Sequence, residues 1–380
     1  MKIEVAKSDL EIALKVANTT VASGTDLSAH YLFRIRDGKA EVLSYDARVF
    51  SSAPLVANTD GEDGDAFTVE AWRLDKWVAS VGDGVLSLTS TDTGEVTAKG
   101  PRSRIKLRSL DPSRFPFWDG LLSSPTEVGT ITPATLQRAL SLTKNFISMD
   151  DTNRPELCQT EAREGVLQAT NRVAVSSVTL RDLPELSLRI PGKDVGVVLK
   201  FLADKTTTES PIKVLHAERE GGNGSAAVFV RHDGSYVGVS RPTTAMPQLP
   251  VDVEDTDIRV QINVEEFTNA VDVLLASAPK NHPTATFSAK DGGLVVSMPS
   301  EAGGHDEFPL LHSTEEGMGD LSFTLDYAYI RSIADQFGLD TVDFGVHHRG
   351  KGGYVSFSHE DSADDTSLGN RYHTVIVWRA

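Results

Sequence analysis

Few residues of this chain stand in a pattern that performs covalent chemistry. His347 and His348 are adjacent, and in an alternating strand their rings point to opposite faces, so they are not expected to share a metal. Gly221-Gly222-Asn223-Gly224 is glycine-rich but lies between two strand-like runs, which predicts a hairpin turn. The sequence contains no phosphate-binding P-loop, serine-hydrolase elbow or zinc-protease motif. We therefore expect no enzyme activity, no cofactor and no metal.

The overall composition narrows the class of protein further. The 380 residues include 37 Lys and Arg against 54 Asp and Glu, a formal net charge of −17. This balance argues against a protein coated with basic surface, but it leaves room for an enclosed basic patch. The single cysteine, Cys158, excludes an internal disulfide framework and a cysteine-based metal cluster. With no apolar h-region and no membrane-length apolar run, the chain is expected in the cytoplasm.

Residues 132–148 give the clearest local signal, an amphipathic helix. Thr132 is a suitable N-cap, and Pro133 follows at the first helical position, where a missing N–H costs nothing. Apolar residues recur at spacings of three and four along one face. The opposite face carries Arg138 and Lys144, so it is basic in an otherwise acidic chain.

Similar helices recur along the chain and predict an internal repeat. Residues 8–21 begin with Ser8 and Glu11, a capping-box pair, and residues 263–277 pair Asn263 with Glu266 in the same way. Three further helices are predicted at 70–81, 191–204 and 326–337, each after a short β-like run.

The segments between these helices alternate in polarity and read as strands. Asp-Gly pairs at 37–38, 233–234 and 291–292 join alternating runs, which is a hairpin signal. The pattern predicts an α+β fold of six helix-plus-strands units paired into three domains, at residues 1–122, 126–250 and 257–380. Linkers are expected around residues 118–129 and 247–256, which are rich in Pro, Ser or acid.

Several short runs resemble one known family. They are Arg102-Ser103-Arg104-Ile105 with Phe115-Pro116, then Ala169-Thr170 with Arg172-Val173-Ala174-Val175, and Pro191 with Lys193 and Val195. With the three repeats, these runs resemble the bacterial beta sliding clamp, the processivity ring of the replicative DNA polymerase. The chain departs from the family at three places. Only Asn171 separates Thr170 from Arg172, where the family has a Gly-His pair, and the tail ends Trp378-Arg379-Ala380. The loop at residues 23–29 lacks the arginine that the family often places near DNA. These departures suit a divergent, phage-type clamp.

The resemblance implies a fold, a function and partners. It implies three repeated clamp domains, each with two helices packed on antiparallel sheets, that close into a ring by head-to-tail homodimerisation. Such a ring would encircle duplex DNA without sequence preference, tether the replicative DNA polymerase and need a separate ATP-dependent clamp loader.

The ring would need basic helix faces toward DNA, because attraction to phosphates is independent of sequence. Each charge taken alone is equally typical of a solvated helix face, and only the recurrence over several helices favours DNA. Glu265, Glu266 and Asp272 make the helix at 263–277 a counterexample. The candidate DNA-binding residues are Lys7, Lys15, Arg73, Lys76, Arg138, Lys144, Lys193, Lys200 and Arg331.

Two protein-contact surfaces follow from the resemblance. The partner-peptide pocket would comprise Leu157, Thr170, Arg172, Val173, Pro247, Val377, Trp378 and Arg379. The dimer interface would place Arg73, Arg102 and Arg104 against Glu301, Asp306 and Glu307, with Leu274 and Leu275 as its apolar core. From sequence alone, an intradomain core role for the two leucines and a packing role for the tail strand are equally open.

One alternative class shares the repeat and the acidity. A β-rich phage structural or assembly protein with duplicated domains would have no DNA-encircling role. It would not need Lys and Arg gathered on the same face of several helices, which is the feature that favours the clamp.

Overall fold

The structure is a computed structural model of the whole chain. It describes residues 1–91, 94–116, 118–181, 183–203, 210–218, 224–249, 257–279, 284–290, 293–310, 312–314, 321–326, 341–348, 352–360 and 371–379. The chain divides into two compact units, Met1–Leu136 with Asp194–Arg241, and Gln137–Lys193 with Pro242–Ala380. The division falls within two of the helices.

Helices occupy five of the six predicted places, and the sixth, at 326–337, lies outside the described residues. They are α1 (Lys7–Ala17), α2 (Ala71–Ser80), α3 (Pro133–Lys144), α4 (Gly192–Leu202) and α5 (Val264–Ser277). The predicted ranges of α1 and α3 extend beyond the observed carboxyl ends of these helices, Ala17 and Lys144. After α1 the chain turns toward the sheet, where the Thr20 hydroxyl hydrogen-bonds the hydroxyls of Ser44 and Ser51.

The helix caps confirm two predictions and overturn a third. The Thr135 N–H donates to the Thr132 hydroxyl at 3.2 Å, and the Glu266 N–H donates to the Asn263 side chain at 2.9 Å. The capping box at Ser8 is wrong, because α1 begins at Lys7 without a side-chain cap. The Lys7 N–H instead donates to the carbonyl of Gly84, which satisfies this free donor from outside the helix.

The first unit holds two antiparallel sheets. A five-stranded sheet has the order β5-β1-β7-β8-β9, and an eight-stranded sheet has the order β10-β15-β16-β17-β4-β3-β2-β6. The strands are β1 (Lys2–Ala6), β2 (His30–Arg36), β3 (Lys39–Asp46), β4 (Val49–Leu55), β5 (Ala57–Thr59), β6 (Ala66–Glu70), β7 (Val85–Ser90), β8 (Glu95–Gly100), β9 (Ser103–Arg108), β10 (Thr126–Ile131), β15 (Ile212–Glu218), β16 (Ser225–Val230) and β17 (Tyr236–Ser240).

The second unit repeats this plan. A nine-stranded sheet has the order β14-β11-β12-β13-β26-β25-β24-β18-β22, and a four-stranded sheet has the order β21-β20-β19-β23. The strands are β11 (Gln159–Arg163), β12 (Val166–Thr170), β13 (Ala174–Thr179), β14 (Leu188–Pro191), β18 (Ile258–Asn263), β19 (Thr284–Lys290), β20 (Gly293–Pro299), β21 (His305–Leu310), β22 (His312–Thr314), β23 (Ser322–Asp326), β24 (Thr341–His348), β25 (Gly352–Glu360) and β26 (Arg371–Arg379).

Each large sheet joins strands that are far apart in sequence. In the first unit β17 pairs with β4, and in the second β26 pairs with β13. The ring of Phe50 on β4 lies against the backbone of Gly238 on β17, so a Cβ added at Gly238 would lie 2.1 Å from Phe50 Cζ. Glycine at position 238 therefore leaves the space that the Phe50 ring occupies.

The turns that the Asp-Gly pairs predict are present where the structure describes them. Asp37 and Gly38 both have positive φ, +50° and +70°, and they join β2 to β3. Gly234 also has positive φ, between β16 and β17. Residues 291–292 lie outside the described part, although the strands on either side of them pair. The expected first linker is shorter than predicted, because β10 begins at Thr126.

Among the described residues, no helix combines the length and the apolar character that crossing a membrane requires.

Candidate functional site

Three helices of the first unit surround a groove of about 540 Å³ that holds some of the predicted DNA-binding lysines. Leu14, Val78 and Phe201 supply apolar walls from α1, α2 and α4. Lys15 and Lys200 line the same groove. The groove therefore places basic side chains from separate helices side by side.

Lys200 is engaged in this groove rather than simply solvated. Its ammonium donates to the backbone and side-chain oxygens of Asn18, at 3.0 and 2.9 Å. The Asn18 amide donates in turn to Asp75, which also accepts from the Tyr31 hydroxyl. Burial raises the pKa of the Asp75 carboxyl despite these hydrogen bonds. The network ties α4 to α1 and α2, so Lys200 holds helices together in addition to carrying charge.

Lys7 and Arg138 are also engaged. The Lys7 ammonium donates to the Val81 carbonyl at 2.8 Å, at the carboxyl end of α2, where a cation is favourable. The Arg138 guanidinium lies over the ring of Tyr372 at 4.2 Å from its centroid. These contacts hold the two side chains against the protein.

Five further residues of the predicted DNA-binding set are exposed. Lys15, Lys76, Lys144 and Lys193 are exposed on α1, α2, α3 and α4 respectively. Arg73 is exposed on α2 beside Glu70, with 2.9 Å between the two charged groups. Arg331 lies outside the described residues. The exposed lysines thus come from four helices, as a basic wall requires.

The predicted partner pocket contains a tight turn between β12 and β13. The Thr170 hydroxyl accepts from the Arg172 N–H and donates to the Ala174 carbonyl at 2.8 Å. The Asn171 side chain accepts from the N–H groups of Val173 and Ala174. Arg172 has φ +80°, a left-handed conformation stabilised by these bonds. The turn exposes the side chain of Val173.

The tail strand runs past this turn. Ala174 is opposite Ile376 in the β13–β26 pair, so the backbone of residues 377–379 continues beyond the strand pair on the side of the turn. The side chains of Val377, Trp378 and Arg379 lie outside the described residues. Leu157 is buried, and Pro247 is exposed in the following linker. The structure thus brings the turn and the tail backbone together, and it buries Leu157.

The linker that bears Pro247 is held by charged groups that the sequence did not indicate. Glu161 on β11 accepts from the Met246 N–H at 2.5 Å and from Arg163 and Arg189 at 2.8 and 3.1 Å. Burial alone would raise the pKa of the Glu161 carboxyl, but these hydrogen bonds and the two arginines lower it. Glu161 therefore stays ionised and fixes the linker at Met246.

Most charged residues of the predicted subunit interface lie on or beside two strands that end their sheets, one in each unit. β9 is the last strand of the five-stranded sheet and exposes Arg104, Lys106 and Arg108. β21 is the last strand of the four-stranded sheet and exposes His305, Glu307 and Pro309. Arg102 and Glu301 are exposed, whereas Asp306 is partly covered. One edge is thus basic and the other mainly acidic.

The apolar part of the predicted interface differs from the sequence-based expectation. Leu274 is only 1% exposed and belongs to the core of the second unit, so it has almost no surface left for another chain. Leu275 is partly exposed, and Val273 beside it is 58% exposed. The resemblance implied the interface role of Leu274, and its burial agrees instead with the intradomain core role that the sequence had left open.

The structure also exposes several large apolar side chains that the sequence did not single out, among them a tryptophan and a methionine. Trp72 on α2 is 58% exposed, and Met149, just after α3, is 94% exposed. Trp72 stands next to Arg73 on the polar face of α2, and this position could have indicated from the sequence that Trp72 is exposed. Nothing in the sequence around Met149 marks it out.

Within the ranges that the structure describes, no group of three or more His, Cys, Asp or Glu side chains could hold a metal ion.

Comparison with known proteins places the fold. No protein-family model matches this chain, and no curated protein matches it in sequence. Solved structures match along its whole length. The DNA polymerase III subunit beta from Pseudomonas aeruginosa has 16% identity and a TM-score of 0.80, with 100% of both chains covered. The beta subunit from DNA polymerase of Streptococcus pyogenes has 13% identity and a TM-score of 0.81, with 100% of both chains covered.

A third structure is described as a sliding clamp. It is the DNA polymerase III subunit beta from Bartonella birtlesii bound to griselimycin, with 18% identity, a TM-score of 0.80 and coverage of 100% of this chain and 99% of that one. This chain has the fold of these proteins, and the α+β fold expected from its sequence is confirmed.

Proposed function

We propose that this chain is a DNA sliding clamp, a homodimeric ring that encircles duplex DNA and tethers the replicative DNA polymerase in the cytoplasm. The observation that carries the proposal is the agreement of fold with polymerase beta subunits over the whole chain. The ring would consist of three clamp domains per chain, at residues 1–122, 126–250 and 257–380. A clamp performs no covalent reaction, in keeping with the absence of enzyme motifs from the sequence.

Ring closure would join the basic edge of one chain to the acidic edge of a second copy. Arg102 and Arg104 on one side would face Asp306 and Glu307 on the other. Opposite charges of this kind select the partner and its orientation more than they add affinity. Lys106 already contacts Glu95 at 2.7 Å, and Glu307 contacts Lys290 at 2.6 Å, so the pairing would exchange some existing contacts.

DNA would be held loosely by the exposed lysines of α1 to α4. Lys15, Lys76, Lys144 and Lys193 would attract phosphates without reading sequence, so retention should weaken as salt rises. The acidic face of α5 would repel phosphates locally. A clamp benefits from this mixture, because a uniformly basic wall would bind too tightly to slide.

The polymerase would attach through a short extended peptide at the β12–β13 turn. Val173 would supply an apolar contact, with Pro247 and the tail residues 377–379 completing the pocket. Loading onto closed DNA would require a separate ATP-dependent loader, since this sequence has no P-loop.

The decisive test of the function is topological. The full-length chain should remain on nicked circular DNA during gel filtration after loading, and it should be lost once the circle is linearised. Equal retention on both forms would contradict encirclement. Failure to associate with either form, with or without the cognate loader, would favour the structural-protein alternative.

The partner pocket has its own test. Val173→Asp should weaken binding of the cognate polymerase's clamp-binding peptide at least tenfold, because it puts a charge into an apolar contact. Val85→Asp is the matched control. Val85 is also an exposed valine but lies in the first unit, so this change should leave peptide affinity unchanged. Equal peptide affinity for Val173→Asp and the wild-type chain would remove this turn from the pocket.

A further inference from the structure

The two tryptophans of α2 have opposite environments. Trp77 is 6% exposed, and its indole N–H donates to the Ser103 hydroxyl at 3.0 Å. Trp72, five residues earlier, is 58% exposed. Burying an aromatic side chain of this size contributes a large favourable free energy, and tryptophan is enriched at protein interfaces.

Trp72 lines an open groove between α2 and the edge strand β9. The groove has a volume of about 340 Å³, and Trp77, Ile105 and Leu107 also line it. Its rim carries Arg73, whose guanidinium lies 5.2 Å from the centroid of the Trp72 ring. Lys76 and Lys106 complete the rim. The first unit thus offers an aromatic side chain with basic neighbours, beside the strand β9 that ends its sheet among the described residues.

The second unit offers a surface of the opposite charge with one exposed apolar residue. α5 packs on β20 and β21, and Val273 projects from it at 58% exposure. Glu265 and Asp272 are exposed on the same helix, and Glu307 is exposed on β21. Phe308, the next residue of β21, is partly covered. An exposed apolar side chain on an acidic helix complements an exposed aromatic side chain on a helix with basic neighbours.

A second copy of this chain is the occupant that these charges favour. A nucleic acid would be attracted by the basic rim, but in duplex DNA the bases are already stacked on each other and are unavailable to Trp72. An unrelated acidic protein would match the charge without matching the strand edge. The second copy brings charge, an apolar side chain and an edge strand together.

We propose that Trp72 is the anchor of the ring-closing contact, packing on the α5–β21 surface of a second copy at Val273 and Phe308. This inference rests on the proposed ring. It assigns the main apolar contribution to Trp72 rather than to the two leucines at 274–275. Tryptophan is the residue type most enriched among interface positions whose truncation costs most.

The test is the dimer dissociation constant of the full-length chain, measured by dilution in mass photometry and analytical ultracentrifugation. Trp72→Ala should raise this constant at least ~30-fold, the change expected of a binding hot spot. Trp72→Phe keeps an aromatic ring and should raise it less. Val85→Ala, at a similarly exposed apolar residue of the same unit, should leave it unchanged. Circular dichroism verifies that each variant is folded.

A double-mutant cycle locates the contact. Once Trp72→Ala is present, Val273→Ala should cost clearly less than it does in the wild-type chain, because the two side chains would then no longer touch. Strictly additive effects would overturn the assigned contact.

Two further outcomes separate the anchor from the ring. An unchanged dimer constant in Trp72→Ala overturns the anchor and leaves the ring standing. Weaker retention on circular DNA with an unchanged dimer constant would make Trp72 a DNA contact and overturn the anchor as well. A wild-type chain that stays monomeric at ~100 µM would instead remove the ring itself, and the anchor with it.

Discussion

The linker after the first predicted domain and the linker after the second are each held by a charged side chain at an equivalent position of a hairpin. The two side chains have opposite charge. Arg36 and Arg163 each precede a hairpin turn with two positive φ angles, Asp37-Gly38 and Glu164-Gly165. Two residues before these arginines stand Arg34 in the first case and Glu161 in the second. The repeat keeps the backbone and exchanges the sign of the charge that holds the linker.

In the first unit the linker contributes the carboxylate. Asp119 accepts from both terminal nitrogens of Arg34, at 2.6 and 2.7 Å. The Arg34 Nε donates to Glu41 at 2.5 Å, which in turn accepts from Ser52. The Arg34 hydrogen bonds hold the pKa of the Asp119 carboxyl below its usual value, and the nearby charge of Arg36 adds to this effect.

Aromatic side chains complete the first linker's hold. The Trp118 indole N–H donates to the Tyr236 hydroxyl at 2.8 Å, and the ring of Phe50 lies 4.7 Å from that of Trp118. Phe115 is buried in the same cluster.

In the second unit the linker contributes backbone groups instead. The Met246 N–H donates to Glu161, and the carbonyls of Met246 and Thr244 accept from Arg163 and Gln159 respectively. The comparison shows that a duplicated fold preserves the position of a contact more readily than its chemistry.

The largest effect is expected from Arg34→Ala. It leaves the carboxylates of Asp119 and Glu41 without their shared partner in a partly covered site, which should cost about 3 kcal/mol of unfolding free energy. Arg36→Ala is the matched control: it also faces Asp119 but is half exposed, and should cost about 1 kcal/mol or less. Denaturant unfolding measures both. Similar losses in the two variants would mean that burial does not distinguish these arginines.

Glu161→Gln should have the next largest effect. The amide oxygen still accepts from one donor, but the ionic contacts with Arg163 and Arg189 are lost, at about 2 kcal/mol. Glu156→Gln, at the longer and more exposed pair with Arg154, serves as control and should cost no more than about 0.5 kcal/mol. Unfolding monitored by denaturant gives both values, and a loss as small as that of the control would show that the backbone holds the second linker without Glu161.

Trp118→Phe should cost less, about 1 kcal/mol, because the aromatic packing is largely kept while the hydrogen bond to Tyr236 is removed. Tyr236→Phe removes the same bond from its other side. If the bond matters, the double variant should cost less than the sum of the two single variants in thermal unfolding. Full additivity would assign the effect to packing alone.

The smallest predicted effect is a change in pH dependence. The folded pKa of Asp119 and of Glu161 is lowered, so each stabilises the protein above the ordinary carboxyl pKa of about 4, and this contribution is lost as pH falls through the folded value. Asp119→Asn and Glu161→Gln should each flatten the fall of stability between about pH 5 and pH 3. Curves parallel to the wild type would show that these carboxyls titrate alike in the folded and unfolded chains.

Local patterns in the sequence determined much of the architecture. The caps at Thr132 and Asn263, the helical stripes and the Asp-Gly turns depend on neighbours within a few residues, so they could be recognised in the chain itself. The repeat of these units then indicated the α+β clamp fold. The predicted cap at Ser8 is wrong. α1 begins at Lys7, whose backbone N–H donates to the carbonyl of Gly84, a residue distant in sequence.

Only the tertiary structure decided which side chains of the candidate surfaces are available. Lys200 is bonded to Asn18, 182 residues away, and Leu274 is buried while Trp72 and Val273 are exposed. The two charged side chains that hold the linkers, Arg34 and Glu161, differ in sign. Each bonds to a residue 85 positions further along the chain, Arg34 to Asp119 and Glu161 to the backbone of Met246. Spacing along a helix gives the direction of a side chain, whereas its partners depend on which distant strands and helices pack against that face.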